Sequence, residues 1–309
     1  MSPALAPWPI LVAGTITRDD VRTPAGFNPD GLGGSATYCT LAARLFAPVQ
    51  VVATAGPDFM PTFQAAMVGT DADLRSVTLS EAPTYRWRAE HDYETGTTRG
   101  ESSEQGAYRT FEPVLTTQQR QTPITFVGSM EPRHQLRVVQ QLDHPRLIAG
   151  DTMTLYIREQ PEALDEVLQR LDYLFLNGAE AMALARVGTI ERASAELRRR
   201  FRLRGLVIKE GPRGATLYRE GRDIHLPACP VDPPVDPTGA GDAVAGGFLG
   251  CLAERQREDE DTLRLALGYA MVLASFVIQR FSVGGVQHLT RAEVDARMES
   301  MAWKAPAAQ

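Results

Sequence analysis

A short run of small residues followed by an aspartate is the part of the sequence best suited to chemistry. Gly239, Ala240 and Gly241 precede Asp242, and the proline-rich segment before them is incompatible with a helix. Apolar residues then recur at helical spacing, so the glycine turn is predicted to open a helix. A helix start carries unpaired N–H groups and the positive end of the helix dipole. Because small residues let an anion approach the backbone, this turn is predicted to bind a phosphate group.

Asp242 lies where an anion is predicted to bind, and two interpretations explain a carboxylate at this position. In the first, an aspartate in the first turn simply stabilises the helix, by about 0.3–1 kcal/mol. In the second, the carboxylate accepts the proton of a substrate hydroxyl while that oxygen attacks the phosphorus atom of a bound nucleotide. The glycine turn alone does not decide between them.

Four other short segments combine glycine or backbone turns with carboxylate, amide, ammonium or hydroxyl groups. They are Gly14–Asp19 with Asp20 next to it, Gly33–Tyr38, Asn177–Glu180 and Lys209–Ala215. Each also has a purely structural interpretation: a solvated turn, a helix capped by Ser35, a helix capped by Asn177, and a tight turn between two strands. A further carboxylate, Asp151, follows an apolar run in the sequence Asp-Thr-Met-Thr.

Short apolar runs alternate with longer segments of 3.6-residue periodicity along the chain. The runs predict buried strands at Ile10–Ala13, Val49–Ala53, Ile124–Val127, Arg146–Ala149, Tyr173–Leu176 and Leu206–Lys209. The periodic segments predict helices at Ser35–Phe46, His134–Leu142, Pro161–Leu171, Ile190–Phe201 and Ala240–Glu254. Strands buried on both faces that alternate with helices are typical of an open, mostly parallel sheet with helices on both faces. We therefore expect a single α/β domain over residues 1–309.

One segment breaks this alternation. In Thr84–Tyr93 the residues Tyr85, Trp87 and Ala89 alternate with charged side chains, which predicts a strand with one wet face. A polar turn and a second extended stretch follow, so the segment is predicted to be an antiparallel hairpin. Long insertions in compact domains are commonly functional, which favours a lid over a site. The alternating apolar face of this hairpin is also a candidate for pairing two copies of the chain.

The bulk composition excludes several classes of function. Charged residues make up 23% of the chain, with a formal net charge of −6 and a pI of about 5.5, which argues against binding of DNA or RNA. The three cysteines are too scattered for a disulfide framework or a zinc site, and the five histidines lack metal-ligand spacing. The N-terminus lacks a signal-peptide pattern and no apolar stretch has the length of a membrane span. The expected location is therefore the cytoplasm.

The segment from Val235 to Phe248, Val-Asp-Pro-Thr-Gly-Ala-Gly-Asp-Ala-Val-Ala-Gly-Gly-Phe, resembles the second signature of the ribokinase-like, or PfkB, family of carbohydrate kinases. Every expected position of the signature is filled. The resemblance implies a ribokinase-like fold with a small β lid, which would comprise residues 15–32 and 84–112. It also assigns Asp242 as the catalytic base and Gly239–Gly241 as an anion hole.

The resemblance extends to the acceptor side of the expected site. Asp19 matches the aspartate that holds substrate hydroxyls in the family. Gly33 and Gly34 match the glycines that let the substrate touch the backbone. Many family members carry asparagine where this chain has Tyr38, which argues against ribose itself as the substrate.

The resemblance also implies the cofactors ATP and Mg²⁺. Asn177 and Glu180 match the motif that organises magnesium and phosphates, with Glu180 acting largely through water. Lys209, Gly211 and Gly214 match the family's nucleotide loop. The region of Ala274–Val277 and Ser282–Gly285 matches the adenine pocket, and with Asp236–Thr238 it matches a site for a monovalent cation such as K⁺ in some relatives. At Asp151, relatives often carry Asp-x-Asn, whereas Met153 or Thr154 replaces the amide here.

These features together predict an ATP-dependent kinase that phosphorylates a hydroxyl of a small sugar or polyol. A nucleoside kinase of the same family stays open, because Tyr85 and Trp87 could face a base. A non-catalytic nucleotide or sugar sensor is disfavoured by the presence of Asp242, and a nicotinamide-dependent oxidoreductase by the absence of GxGxxG after the first strand. The expected partners are the small-molecule substrate and a second copy of the chain paired through the lid, without nucleic acid or membrane.

Overall fold

The computed structural model describes residues 5–92 and 97–301, in which strands and helices alternate. The strands are β1 (Ile10–Ala13), β2 (Thr17–Thr23), β3 (Gly26–Gly33), β4 (Val49–Ala55), β5 (Asp73–Leu79), β6 (Tyr85–Asp92), β7 (Thr97–Glu104), β8 (Ile124–Val127), β9 (Leu147–Asp151), β10 (Tyr173–Asn177), β11 (Gly205–Lys209), β12 (Ala215–Arg219) and β13 (Ile224–Leu226). The helices are α1 (Ser35–Ala43), α2 (Met60–Met67), α3 (Thr117–Arg120), α4 (Pro132–Val139), α5 (Thr154–Glu159), α6 (Pro161–Leu168), α7 (Gly178–Ala185), α8 (Ile190–Phe201), α9 (Ala240–Arg255), α10 (Glu260–Val277) and α11 (Arg291–Ser300).

Nine strands form the main sheet, in the order β13-β12-β11-β10-β9-β8-β1-β4-β5. The strands from β11 to β5 pair in parallel, and only β12 and β13 pair antiparallel at one edge. This confirms the predicted open, mostly parallel sheet. Because parallel strands point the same way, the loops after β1, β8, β9, β10 and β11 all leave the same edge of the sheet, where ligands of such folds bind.

Helices cover both faces of the main sheet. Successive strand residues point to opposite sides, so Ile10 and Val12 of β1 pack with helices α1, α2, α9 and α10. Leu11 and Ala13 of the same strand pack on the other face with helices α4, α6, α7 and α8. The two apolar layers fix the sheet between them, and the three cysteines lie buried as free thiols.

A second sheet of four strands, β3-β2-β6-β7, forms what we call the lid sheet. The β6–β7 pair is antiparallel, which agrees with the predicted hairpin, while β2 runs parallel to β6. The turn between β6 and β7 lies outside the described residues. Tyr85 and Ala89 are only 5% and 6% exposed, because the alternating apolar face packs on the chain's own core. These two side chains are therefore not available for pairing two copies of the chain, and pairing through the lid stays a prediction.

Several elements differ from the sequence prediction. The edge strand β5 lacks a buried apolar run, since none of its residues is fully buried, so no apolar pattern marked it. Ser35 is not the cap of α1: Gly34 is the capping residue, and the Ser35 hydroxyl instead accepts a hydrogen bond from the Thr15 amide at 3.0 Å. Within the described ranges, no helix has both the length and the apolar character needed to cross a bilayer.

Candidate active site

The glycine turn lies at the start of α9, as predicted. Gly239 caps the helix with a φ of 78°, a left-handed conformation that favours glycine. The ring of Tyr38 from α1 packs directly on Gly239, so a Cβ at this position would overlap the ring. The Ala240 amide donates to the Pro237 carbonyl at 3.2 Å. The amides of Gly239 and Gly241 have no acceptor among the described residues. Of the three predicted donors, the Ala240 amide is thus already occupied.

Asp242 lies in the first turn of α9, with part of its surface accessible. Burial of its carboxyl group raises its pKa to about 6. The Lys209 ammonium and a hydrogen bond with Asp151 oppose this rise, and the Glu180 carboxylate adds to it. A carboxylate with a pKa near neutrality is a better proton acceptor than an ordinary aspartate while still being mostly ionised at pH 7.

Asp151 is a functional candidate to which the sequence assigned no role. It ends β9, is 6% exposed, and hydrogen-bonds the Asp242 carboxyl, which requires a proton between the two groups. Burial and the nearby Asp242 carboxyl raise the pKa of Asp151 well above its usual value. Its Oδ1 atom has no partner within the part of the chain that the structure describes. Its place at the end of a buried strand was the available signal, because strand ends at this edge converge on one site.

Lys209 was assigned to the nucleotide loop, and the structure places its ammonium group against the glycine turn. A Cβ on Gly241 would lie 2.6 Å from Lys209 Nζ. Among the described residues, no carboxylate lies within ion-pair distance of that nitrogen. The positive charge of Lys209 is nevertheless close enough to Asp151 and Asp242 to lower the pKa of both. A cation that stays unpaired beside free amides is suited to neutralise a phosphate group.

Asp19 lies on the inner face of the lid sheet rather than in a turn. It is 4% exposed, and its Cα pairs with that of Trp87 across β2 and β6. Burial raises the pKa of Asp19 to about 8; a hydrogen bond from Thr17 opposes the rise, and the charges of Asp236 and Asp242 add to it. Its Oδ1 atom has no partner in the described residues.

The neighbouring Asp20 points to the outer face of the lid sheet. Its Oδ2 atom accepts from Arg86 Nη2 at 2.6 Å, so its charge is neutralised on the surface side. The structure therefore directs Asp19, and not Asp20, into the cleft. Gly33 stands so close to Asp19 that a Cβ would overlap the carboxylate, and Gly34 adopts a φ of 99°. The three predicted acceptor-side residues are brought together.

Tyr38 connects the two halves of the cleft. Its residue is 1% exposed, its hydroxyl has no partner in the described residues, and the carboxylates of Asp19, Asp236 and Asp242 all raise its pKa beyond what burial alone does. The phenol is thus close enough to both the predicted substrate-holding aspartate and the predicted base for their charges to act on it. A buried hydroxyl without a partner costs free energy unless a ligand supplies one.

The remaining nucleotide-side residues keep their structural interpretations as well. Asn177 caps α7, with Asn177 Oδ1 accepting from the Glu180 amide at 2.8 Å and Glu180 Oε2 accepting from the Asn177 amide at 2.9 Å. Gly211 and Gly214 form the turn between β11 and β12, with φ values of 58° and 95°. These residues line the same edge of the sheet as the glycine turn, because β10 and β11 end there.

The donor set fits a magnesium ion. Mg²⁺ prefers oxygen ligands and keeps several of its waters. Asp151 offers an unpartnered buried carboxylate oxygen, and Glu180 is near enough for its charge to raise the pKa of Asp151. The described residues contain no cluster of three or more side chains of the usual metal-ligand types. The proposed cation loop is held by the protein itself: Asp236 accepts from the Thr238 amide at 2.9 Å and the Ser282 amide at 3.3 Å.

The sheet order, the lid and the glycine turn define a small-molecule kinase of the ribokinase-like fold. The model of the pfkB family carbohydrate kinases matches residues 20–287, so the chain belongs to this family and is a phosphotransferase. A cytidine kinase of Thermococcus kodakarensis is 27% identical over 264 residues, which cover 84% of this chain and 93% of that protein.

Solved structures agree on the fold. The nucleoside kinase of Burkholderia thailandensis in complex with inosine superposes with a TM-score of 0.79 at 20% identity, over 96% of this chain and 100% of that one. The ribokinase of Arabidopsis thaliana complexed with ribose and ATP gives a TM-score of 0.74 at 17% identity, over 96% and 100%. At these identities the likeness supports the fold and leaves the substrate open.

Proposed function

We propose that this chain transfers the terminal phosphate of ATP to a hydroxyl of a nucleoside. The observation that carries the proposal is the proximity of two buried carboxyl groups, Asp19 and Asp242, to each other and to Tyr38, whose ring packs on the glycine turn. The full-length likeness to a cytidine kinase favours a nucleoside over a free sugar. A small sugar or polyol is the second candidate, because Asp19 recognises hydroxyl groups in either kind of acceptor.

On the acceptor side, Asp19 would hold the sugar hydroxyls. Its raised pKa means that the empty cleft keeps this carboxyl largely protonated at pH 7. A bound hydroxyl that donates to the carboxylate replaces lost water and favours the ionised form. Gly33 and Gly34 let the acceptor lie against the backbone, because neither position has a side chain. Trp87, opposite Asp19 on the lid sheet, would cover the acceptor.

Asp242 would orient the attacking hydroxyl and accept its proton. The Lys209 ammonium lowers the pKa of this carboxyl and keeps it ionised in spite of burial. The hydrogen bond with Asp151 restrains the orientation of the carboxylate. General-base catalysis of this kind contributes roughly 10²–10⁴ in rate.

The transferring phosphate would lie on the glycine turn. The amides of Gly239 and Gly241 and the start of α9 offer donors and positive potential, and Lys209 adds a full charge. Mg²⁺, when bound, neutralises the charge of the nucleotide phosphates, and Asp151 and Glu180 would hold it, in part through water. The nucleotide would extend over Asn177 and the Lys209–Gly214 turn.

The test is a turnover screen in which ADP formation is measured with ATP and Mg²⁺ against nucleosides, free pentoses, hexoses and polyols. We expect turnover with at least one nucleoside and a lower kcat/KM for free ribose. Asp242→Ala should keep the melting temperature and lose roughly 10²–10⁴ in kcat. A wild-type protein that binds nucleosides without turning over any acceptor would support a sensor instead. Near-normal turnover in Asp242→Ala would remove Asp242 as the base.

A further inference from the structure

The lid sheet reaches the glycine turn through a histidine that the proposed chemistry does not use. His91 lies on β6, and its Nε2 atom is 3.1 Å from the Thr238 hydroxyl, across 147 positions of sequence. Thr238 immediately precedes Gly239, the capping residue of α9. This hydrogen bond therefore connects the lid to the residue beside the phosphate-binding amides.

The same strand also faces the acceptor side. The rings of His91 and Trp87 lie 6.0 Å apart between centroids, with an angle of 44° between their planes. Trp87 is the register partner of Asp19. An acceptor held by Asp19 would therefore contact Trp87, which packs beside His91. Trp87 and His91, two side chains of the same strand, thus connect the acceptor position at Asp19 with Thr238 beside the glycine turn.

Thr238 is positioned from the other side by a buried carboxylate. Asp236 is 1% exposed; its Oδ1 accepts from the Thr238 amide and its Oδ2 from the Ser282 amide. The Ser282 hydroxyl in turn donates to the Leu32 carbonyl of β3 at 2.6 Å. The loop before the glycine turn thus contacts the lid sheet at two strands, and Thr238 is held by Asp236 on one side and His91 on the other.

We propose that His91 is a positioning residue, which couples closure of the lid over the acceptor to the geometry of the phosphate-binding turn through Thr238. The inference rests on the proposed function. With acceptor bound, β6 is held against the core, His91 engages Thr238, and the amides of Gly239 and Gly241 are fixed for the terminal phosphate. Without acceptor, the His91–Thr238 hydrogen bond restrains the glycine turn less, so the amides that bind the terminal phosphate of ATP are less ordered.

The consequence is measurable as binding synergy. The probe is the non-hydrolysable analogue AMP-PNP with Mg²⁺, titrated calorimetrically with and without a saturating acceptor found in the turnover screen. Coupling between two sites commonly changes affinity by about 5- to 150-fold, so we expect the acceptor to tighten AMP-PNP binding by roughly tenfold in the wild type. In His91→Ala and in Thr238→Val the ratio of AMP-PNP affinities with and without acceptor should fall below about twofold. The double variant should not fall further, because both changes remove the same bond.

Two variants separate positioning from simple damage to the lid. His91→Gln keeps a side-chain group able to reach the Thr238 hydroxyl, and we expect it to restore at least half of the synergy on a logarithmic scale. Glu90→Gln changes the neighbouring residue, which is exposed on the outer face of β6, and should keep the wild-type ratio. The inference is overturned if the synergy survives in His91→Ala, or if Glu90→Gln loses it equally. It is also overturned if the effects of His91→Ala and Thr238→Val multiply in the double variant. Absence of turnover with every acceptor would instead refute the proposed function, and the inference with it.

Discussion

Asp242 differs from an ordinary first-turn aspartate because three ionisable groups, Asp151, Glu180 and Lys209, lie close enough to shift its pKa. Burial raises its pKa to about 6, and a base must be ionised to act. We therefore expect kcat/KM to rise with pH up to about 6, tenfold per unit, and to level off above. Lys209→Met removes the charge that lowers this pKa, so the limb should move to higher pH. This account would be contradicted if the rising part of the kcat/KM profile lay near pH 4, or if Lys209→Met left its position unchanged.

Asp19 is expected to make the stability of the empty protein depend on pH. Because burial raises its pKa to about 8, the folded chain keeps a proton between about pH 4 and pH 8 that the unfolded chain has released. Its stabilising contribution is thus fully present below about pH 4 and lost as pH rises through 8. Between pH 5 and pH 9 the wild type should lose about 4 kcal/mol more unfolding free energy than Asp19→Asn in urea titrations, because about three pH units below a pKa of about 8 count about 1.4 kcal/mol each. Parallel pH curves for both proteins would refute the shift.

Two buried tyrosine hydroxyls should respond in opposite ways to removal. Tyr108 donates to the Gly14 carbonyl at 2.7 Å and accepts from the amides of Ile16 and Thr54 at 3.1 and 3.2 Å. Tyr108→Phe leaves these backbone groups unpaired and should cost about 1–3 kcal/mol of unfolding free energy. Tyr38→Phe removes a buried hydroxyl that has no partner among the described residues, so the unfolding free energy should stay the same or rise.

For Tyr38→Phe the effect should instead appear in acceptor binding. The hydroxyl is close enough to Asp19 and Asp242 for their charges to raise its pKa, and it could donate to an acceptor oxygen whose own proton points to Asp19. We expect the acceptor KM to rise about tenfold, with little change in the KM for ATP. A loss of stability equal to that of Tyr108→Phe, with an unchanged acceptor KM, would mean that the hydroxyl has a structural partner.

At the scale of elements, the start of α9 depends on a glycine that fits under an aromatic ring from α1. Gly239→Ala must place a Cβ into the Tyr38 ring and force an alanine to a φ of 78°. We expect turnover to fall by about 10²-fold, the cost of one misplaced donor. Gly188→Ala is the control, because a Cβ there meets no atom within 4 Å. Wild-type turnover in Gly239→Ala, or an unaltered rate after Gly241→Val, would mean that the phosphate lies elsewhere.

The elements also show what a sequence can predict. The glycine turn, the strands β1 and β8, and the inner sheet were predictable because their signals are local: small residues before a helix, and apolar runs between turns. The pairing of Asp151 with Asp242 was not, because it joins residues 91 positions apart through the order of the sheet. Nor was the contact of Tyr38 with Gly239, since packing of α1 on α9 has no sequence signature.

At the scale of the whole molecule, the two sheets are held in different ways. The main sheet lies inside a continuous apolar core, whereas a few polar contacts connect the lid sheet to the loops around the glycine turn. Besides the bonds at Thr238 and Leu32, the Thr23 hydroxyl donates to the Val235 carbonyl at 2.8 Å. All of these contacts lie on one side, at the loops around the glycine turn. Water exclusion during transfer therefore depends on a small sheet whose position the acceptor can influence.

Acceptor binding should consequently protect the lid sheet from amide hydrogen exchange. Strands β2 and β6 belong to a separate sheet of only four strands, so we expect their amides to open at lower free energy than those of the main sheet when the cleft is empty. With saturating acceptor we expect their exchange to slow by about tenfold or more, while β8, β9 and β10, which lie inside the main sheet, stay unchanged. AMP-PNP alone should protect β11 and the start of α9, and through the His91–Thr238 bond it should slow β6 less than the acceptor does. If the acceptor protected all strands equally, the lid would not move as a unit, and water exclusion would have to come from the main domain.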